Sequence, residues 1–203
     1  MDAAADPRAF VRGVPRGDPP GTAYRYNSVT AYVAGLVTAR ATGGTMADFA
    51  GRALFAPLEI TDWRWDADVA GDTKGQGNLW LTARGLARIG AMVLGEGRYG
   101  GRRIVSAGWL RDSLTPHVAT GEADPYSDGY GYFWYHVTHR IGGRAVSVSF
   151  ASGNGGNKIY VVPSRKLVIA ITSRAYGKGY GQRRSEAILK AVLAADMTGQ
   201  LAR

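Results

Sequence analysis

The chain has 203 residues, 45% of them hydrophobic and 20% charged, the balance of a globular protein and not of a disordered, collagenous or coiled-coil one. It contains no cysteine, which removes thiolate nucleophiles, iron–sulfur clusters and cysteine zinc sites, and a chain of this length buries roughly 70% of its unfolded surface without disulfides. The net charge of +9 lies in the last third: residues 1–128 balance fourteen basic against fourteen acidic side chains, while residues 129–203 set eleven basic ones against Glu186 and Asp196 alone.

A basic face steers anionic partners, but Lys178, Arg183 and Arg184 lie among glycines with no helix-turn-helix, RNA-recognition or zinc-finger pattern, so nucleic acid is not expected as a partner. The longest apolar runs, Val29 to Val37 and Ile188 to Ala195, fall far short of the roughly 18–20 residues that span a bilayer. Met1 to Asp6 lacks the charged and apolar regions of a secretory signal, so the chain as written is expected in the cytoplasm, with a periplasmic or secreted full-length form left open.

In chain order, residues 1–22 are rich in Asp, Arg, Pro and Gly and read as loop. Ser28 is the expected N-cap of a helix in which Val29, Tyr32, Val33, Leu36 and Val37 recur at helical spacing until Gly43-Gly44. Thr45 caps a second helix through Phe49, Leu54 and Phe55, closed by Pro57. Residues 61–78 carry Trp63, Trp65 and scattered acids without a period, which predicts a long surface excursion. Thr82 opens a third helix with Leu86, Ile89, Val93 and Leu94 on one stripe, and Ser106 a fourth that ends before Pro116.

After Asp128 the period changes to two. Tyr130, Tyr132, Trp134 and His136 alternate with their neighbours, and runs at 145–150, 158–162 and 167–172 follow, separated by turn residues. A last helix covers about Gln182 to Ala195. Helices first, then a strand cluster and a closing helix, is α+β order: an antiparallel sheet with flanking helices, not a doubly wound parallel sheet.

The chemistry-bearing patterns are few. Gly-x-Ser-x-Gly is absent, and His136 and His139 would point to opposite faces of a strand, so the three histidines read as surface residues and no metal or other cofactor is expected. Gly153-Asn154-Gly155-Gly156 is followed by neither Gly-Lys-Ser/Thr nor a helix, which excludes a phosphate loop.

Two segments gain meaning together: Tyr24-Arg25-Tyr26-Asn27-Ser28 before a helix, and Ser152-Gly153-Asn154-Gly155-Gly156-Asn157 before Ile159-Tyr160-Val161-Val162-Pro163. With Pro20-Gly21-Thr22, Phe55-Ala56-Pro57-Leu58, Leu81 to Arg88 and Tyr130-Gly131-Tyr132 in the same order, the chain from about Pro20 to Ala195 resembles the β-lactamase-related serine hydrolases: class C β-lactamases, penicillin-binding D,D-peptidases and related esterases and amide hydrolases.

The resemblance implies a partial β-lactamase/transpeptidase-like fold, with residues 23–203 as the C-terminal part of the domain after an N-terminal loop segment, 1–22. It also implies site residues. Tyr26-Asn27-Ser28 is similar to the family's Tyr-x-Ser form, making Tyr26 the proton shuttle and Ser28 a partner of substrate or of the catalytic lysine. A phenol of ordinary pKa near 10 needs a nearby cation or a concerted transfer to act at neutral pH.

Asn154-Gly155-Gly156 is similar to the third motif. It would line the substrate strand, with the Asn157 amide donating to the oxyanion. Asn154 in place of a cation favours neutral esters or amides over β-lactam carboxylates. The nucleophile motif Ser-x-x-Lys is missing: the residues three before Lys74, Lys158, Lys166, Lys178 and Lys190 are Gly71, Gly155, Pro163, Ala175 and Ala187.

Three readings follow. The first is a truncated serine hydrolase inactive on its own, acting on a small ester or amide once an N-terminal segment complements it. The second is a non-catalytic remnant that binds a ligand or partner, and the third a basic nucleic-acid-binding module. Truncation would leave an unpaired strand and an apolar face, and with them low stability or self-association.

Overall fold

The structure is a computed structural model that describes residues 4–197. It divides into two compact units, Met1–Thr82 and Ala83–Arg203.

The first unit opens with helix α1, Pro7–Arg12, inside the segment expected as loop. Asp6 accepts a bond from the Ala9 amide at 2.9 Å, and Pro7 occupies the first turn, where its missing N–H costs nothing. Arg8 then reaches 64 residues ahead and forks onto Asp72 at 2.6 and 2.7 Å. Helix α2, Ser28–Thr42, is where the periodicity puts it, but its cap is Asn27 and not Ser28: the Asn27 side chain accepts from the Val29 amide at 2.7 Å. Gly43 ends it in the left-handed region at φ 71°.

Thr45 caps α3, Met46–Ala50, in a reciprocal capping box with Asp48, and one turn of π-helix, Gly51–Phe55, continues it. The excursion at 61–78 is more ordered than its composition suggests. Strands β1, Trp63–Trp65, and β2, Leu79–Leu81, pair antiparallel, and the Trp65 indole donates to the carbonyls of Lys74 and Gly77. Trp63 and Trp65 pack on Phe55, with ring centroids 4.8 and 6.4 Å away. The tryptophans at alternate positions were the missed strand signal.

The second unit begins with α4, Ala83–Leu94, and the short ribbon β3, Arg98–Tyr99, with β4, Arg102–Arg103. Helix α5, Ala107–Leu114, is capped by Ser106 as expected. A six-stranded antiparallel sheet follows: β5 Val118–Ala119, β6 Gly129–Tyr130, β7 Tyr135–Ile141, β8 Arg144–Gly153, β9 Asn157–Val162 and β10 Leu167–Ile171, each paired to its neighbour in sequence. Tyr132 and Trp134 are not in a strand. They lie in the turn between β6 and β7, where Gly131 and Trp134 bond and Phe133 takes φ 62°.

Register stacks an aromatic line across the sheet. Tyr130 faces Tyr135, Tyr135 faces Phe150 and Phe150 faces Tyr160, with centroids 4.7, 5.2 and 5.5 Å apart. Helix α4 covers one face: a Cβ on Gly90 would lie 2.5 Å from Val168 Cγ1, so glycine sets that close approach. Helix α6, Tyr180–Met197, covers the other face and buries Leu189 and Leu193. The α+β architecture expected from the element order is the one observed.

Candidate functional site

Tyr26 stands two residues before α2, 69% exposed, and Ser28 is the first residue of the helix, half-buried. Asn27 takes the capping bond, which leaves the Ser28 hydroxyl outside it. Arg25 next to the tyrosine is ion-paired with Asp18; this holds the Asp18 carboxyl below its ordinary range and raises Arg25.

Deeper in the same unit a polar network closes around Tyr32, which donates to Asp68 at 2.6 Å. Burial, reinforced by the adjacent carboxylates, pushes the Tyr32 phenol well above its usual value. Burial works to raise Asp68, but its bonds from Tyr32 and from the Asp72 and Ala70 amides outweigh this and hold it ionised. A cavity of about 370 Å³ beside this network is lined by Arg8, Asp72, Asp48 and Thr45.

In the second unit Asn154, Gly155 and Gly156 form the three-residue turn between β8 and β9, closed by the Gly153–Asn157 pair. Their geometry has a structural cause. Gly155 and Gly156 hold φ 81° and 89°, and a Cβ on Gly156 would lie 2.3 Å from the Gly181 carbonyl oxygen. The side chains of both asparagines are engaged with the segment after β10: Asn154 Oδ1 accepts from the Gly177 amide at 2.9 Å, and Asn157 Oδ1 accepts from Ser173 at 2.8 Å.

Immediately beside the turn lies a pair that spacing along the chain did not reveal. Ser152 and Lys158 are cross-strand partners, and the Lys158 ammonium donates to Ser152 Oγ at 2.8 Å. Lys158 is 3% exposed, its Nζ 4.5 Å from the Phe150 ring centre and 5.8 Å from that of Tyr160. Burial lowers its pKa to about 8 against the pull of Asp124 and Glu186. Ser-x-x-Lys spacing brings a pair together only on a helix, whereas the three-residue hairpin closed by Gly153–Asn157 sets residues 152 and 158 opposite each other.

A groove of about 580 Å³ runs along β7 and β8, with Arg111, Asp128, His136, Thr138 and Ser149 among its walls. His136 Nδ1 lies 3.2 Å from Ser149 Oγ, while its Nε2 is buried without a partner. Desolvation lowers its pKa, so the ring is neutral at pH 7. The surface reading of the histidines is thus corrected for His136 and His139, both half-buried, though they do face opposite sides of β7. Among the described residues no cluster of histidines and carboxylates suits a metal, and no helix is long and apolar enough to cross a membrane.

The β-lactamase family model matches residues 1–193, and the chain belongs to that family. Solved structures agree on the fold. A Bacillus anthracis protein described as a candidate 6-aminohexanoate-dimer hydrolase is 19% identical at a TM-score of 0.77, over 95% of this chain and 49% of its own. A penicillin-binding protein homologue from Caulobacter crescentus is 16% identical at 0.75, over 96% and 67%. The octameric penicillin-binding protein homologue from Pyrococcus abyssi is 18% identical at 0.68, over 91% and 48%. The chain therefore spans about half the length of the first and third of these relatives.

Proposed function

We propose that this β-lactamase-family chain supplies the proton-shuttle and oxyanion parts of an acyl-serine hydrolase acting on an ester or amide bond. The observation that carries the reading is the family match over residues 1–193. Tyr26 moves the proton, Ser28 bonds substrate or the catalytic lysine, the Asn157 amide donates to the oxyanion, and Asn154, Gly155 and Gly156 line the substrate strand. The nucleophile and its lysine come from a Ser-x-x-Lys segment that these 203 residues do not contain, residues 23–203 forming the C-terminal part of the domain. In this reading the lysine of that segment is the cation beside Tyr26, Arg25 being ion-paired with Asp18. A neutral Asn154 suits a neutral amide or ester, and the name of the Bacillus anthracis relative points to an amide. The octameric Pyrococcus relative supports self-association as part of the same reading.

The test is complementation. The chain is mixed with a peptide or protein carrying the Ser-x-x-Lys segment and probed with a fluorescent fluorophosphonate. Label is expected on the added serine only in the mixture, and Tyr26→Phe should slow it ~100-fold or more. A mixture that assembles, by size-exclusion chromatography, yet takes no label on the added serine refutes the hydrolase and leaves the non-catalytic, partner-binding reading.

A further inference from the structure

We propose that Ser152 and Lys158 form a second, self-contained acylation site, in which the Ser152 hydroxyl attacks a small uncharged ester and Lys158 receives its proton.

Three features of the hairpin carry this. Ser152 is exposed whereas Lys158 is buried, so the nucleophile is open to solvent and its base is not. Their register opposite each other fixes the 2.8 Å contact between two rigid strands, without reliance on a flexible loop. Among the described residues no carboxylate is bonded to the Lys158 ammonium, which lies against the faces of Phe150 and Tyr160. A surface lysine is protonated at neutral pH and is no base; burial here lowers the pKa to about 8 although Asp124 and Glu186 work against it, so a useful fraction is neutral near neutral pH. The Ser152 hydroxyl, which accepts from Lys158, in turn donates to Gln182 Oε1 of α6 at 3.5 Å, a long bond that must be given up when the proton passes to Nζ.

The step balances within these groups. Ser152 Oγ forms a bond to the acyl carbon while its proton passes to neutral Nζ; the ester C–O bond breaks, and the leaving oxygen takes the proton from Nζ or from solvent. The substrate class follows from the surroundings. Among the described residues the one formal charge bonded to the Ser152 hydroxyl is the lysine that must be neutral to act, and the hydroxyl stands in the open, which suits a small activated ester such as an aryl acetate.

The test uses the chain as it is, incubated with 4-nitrophenyl acetate from pH 6 to 9.5, with nitrophenol release followed by absorbance and the acetyl located by peptide mass spectrometry. Expected are a burst of one nitrophenol per chain, acetyl on the peptide at Ser152, and a rate that rises through pH about 8. Ser152→Ala, at an exposed position, should keep the fold and lose the burst. Lys158→Met should slow acylation ~100-fold and flatten the pH profile while circular dichroism stays unchanged. Acetyl on Lys158 itself or at any other hydroxyl, an undiminished burst in Ser152→Ala, or no burst from a folded chain each overturns the proposal.

Discussion

Replacing Gly156 by alanine tests whether the glycine turn is dictated by the protein's own backbone. At φ 89° an L-residue is strained by about 1–2 kcal/mol. The new Cβ would lie 2.3 Å from the Gly181 oxygen and 2.9 Å from Ser185 Oγ, contacts that neither backbone nor a fully buried serine can relieve without moving α6, which adds about 1–3 kcal/mol. Moving the turn also stretches the 2.6 Å bond from Ser185 to the Gly156 carbonyl, worth about 1 kcal/mol. The sum, about 3–6 kcal/mol, is a large part of the 5–15 kcal/mol that holds a typical domain.

Urea denaturation followed by far-ultraviolet circular dichroism should show the midpoint falling by about 2 M. Gly143→Ala separates the two causes: it sits at φ 78° with nothing near its Cβ, so it should lose only the conformational part, about 1 kcal/mol. If Gly156→Ala costs no more than Gly143→Ala, the close approach of α6 is not what demands glycine.

Tyr32→Phe removes the bond to Asp68 and leaves a half-buried carboxylate with only its Ala70 and Asp72 backbone donors; a loss of about 1 kcal/mol is expected in the same assay. Lys158 makes stability depend on pH. Its folded pKa of about 8 lies below the unfolded 10.5, so between these values the unfolded chain binds more protons and stability climbs as pH rises, by up to about 3 kcal/mol. Lys158→Met should abolish that climb and leave the protein at least as stable at pH 7, since a buried charge is exchanged for an apolar chain of similar length.

Helices α2, α4, α5 and α6 and strands β8 to β10 were legible because a period and a terminal signal coincide: Gly43 after α2, Ser106 before α5, and the turn residues after Val162. Where only one signal exists the reading slipped. Asn27 and Ser28 are both good caps, and the backbone puts the extended residue at Asn27. Tyr132 and Trp134 have strand chemistry but fall where the chain reverses. Of the site, the turn at 154–156 was visible in its glycines, whereas Ser152–Lys158 depends on register, which local composition does not encode.

The order of the six strands has a kinetic consequence. Every strand from β6 to β10 pairs with the one made just before it, so each pairing closes a short loop and none waits for a distant segment. As the second unit leaves the ribosome, these six strands can pair one hairpin at a time, and α6, made after β10, covers the aromatic face only once the strands that carry it are paired. Until α6 docks, that face is open to water, and the burial that lowers the Lys158 pKa is incomplete.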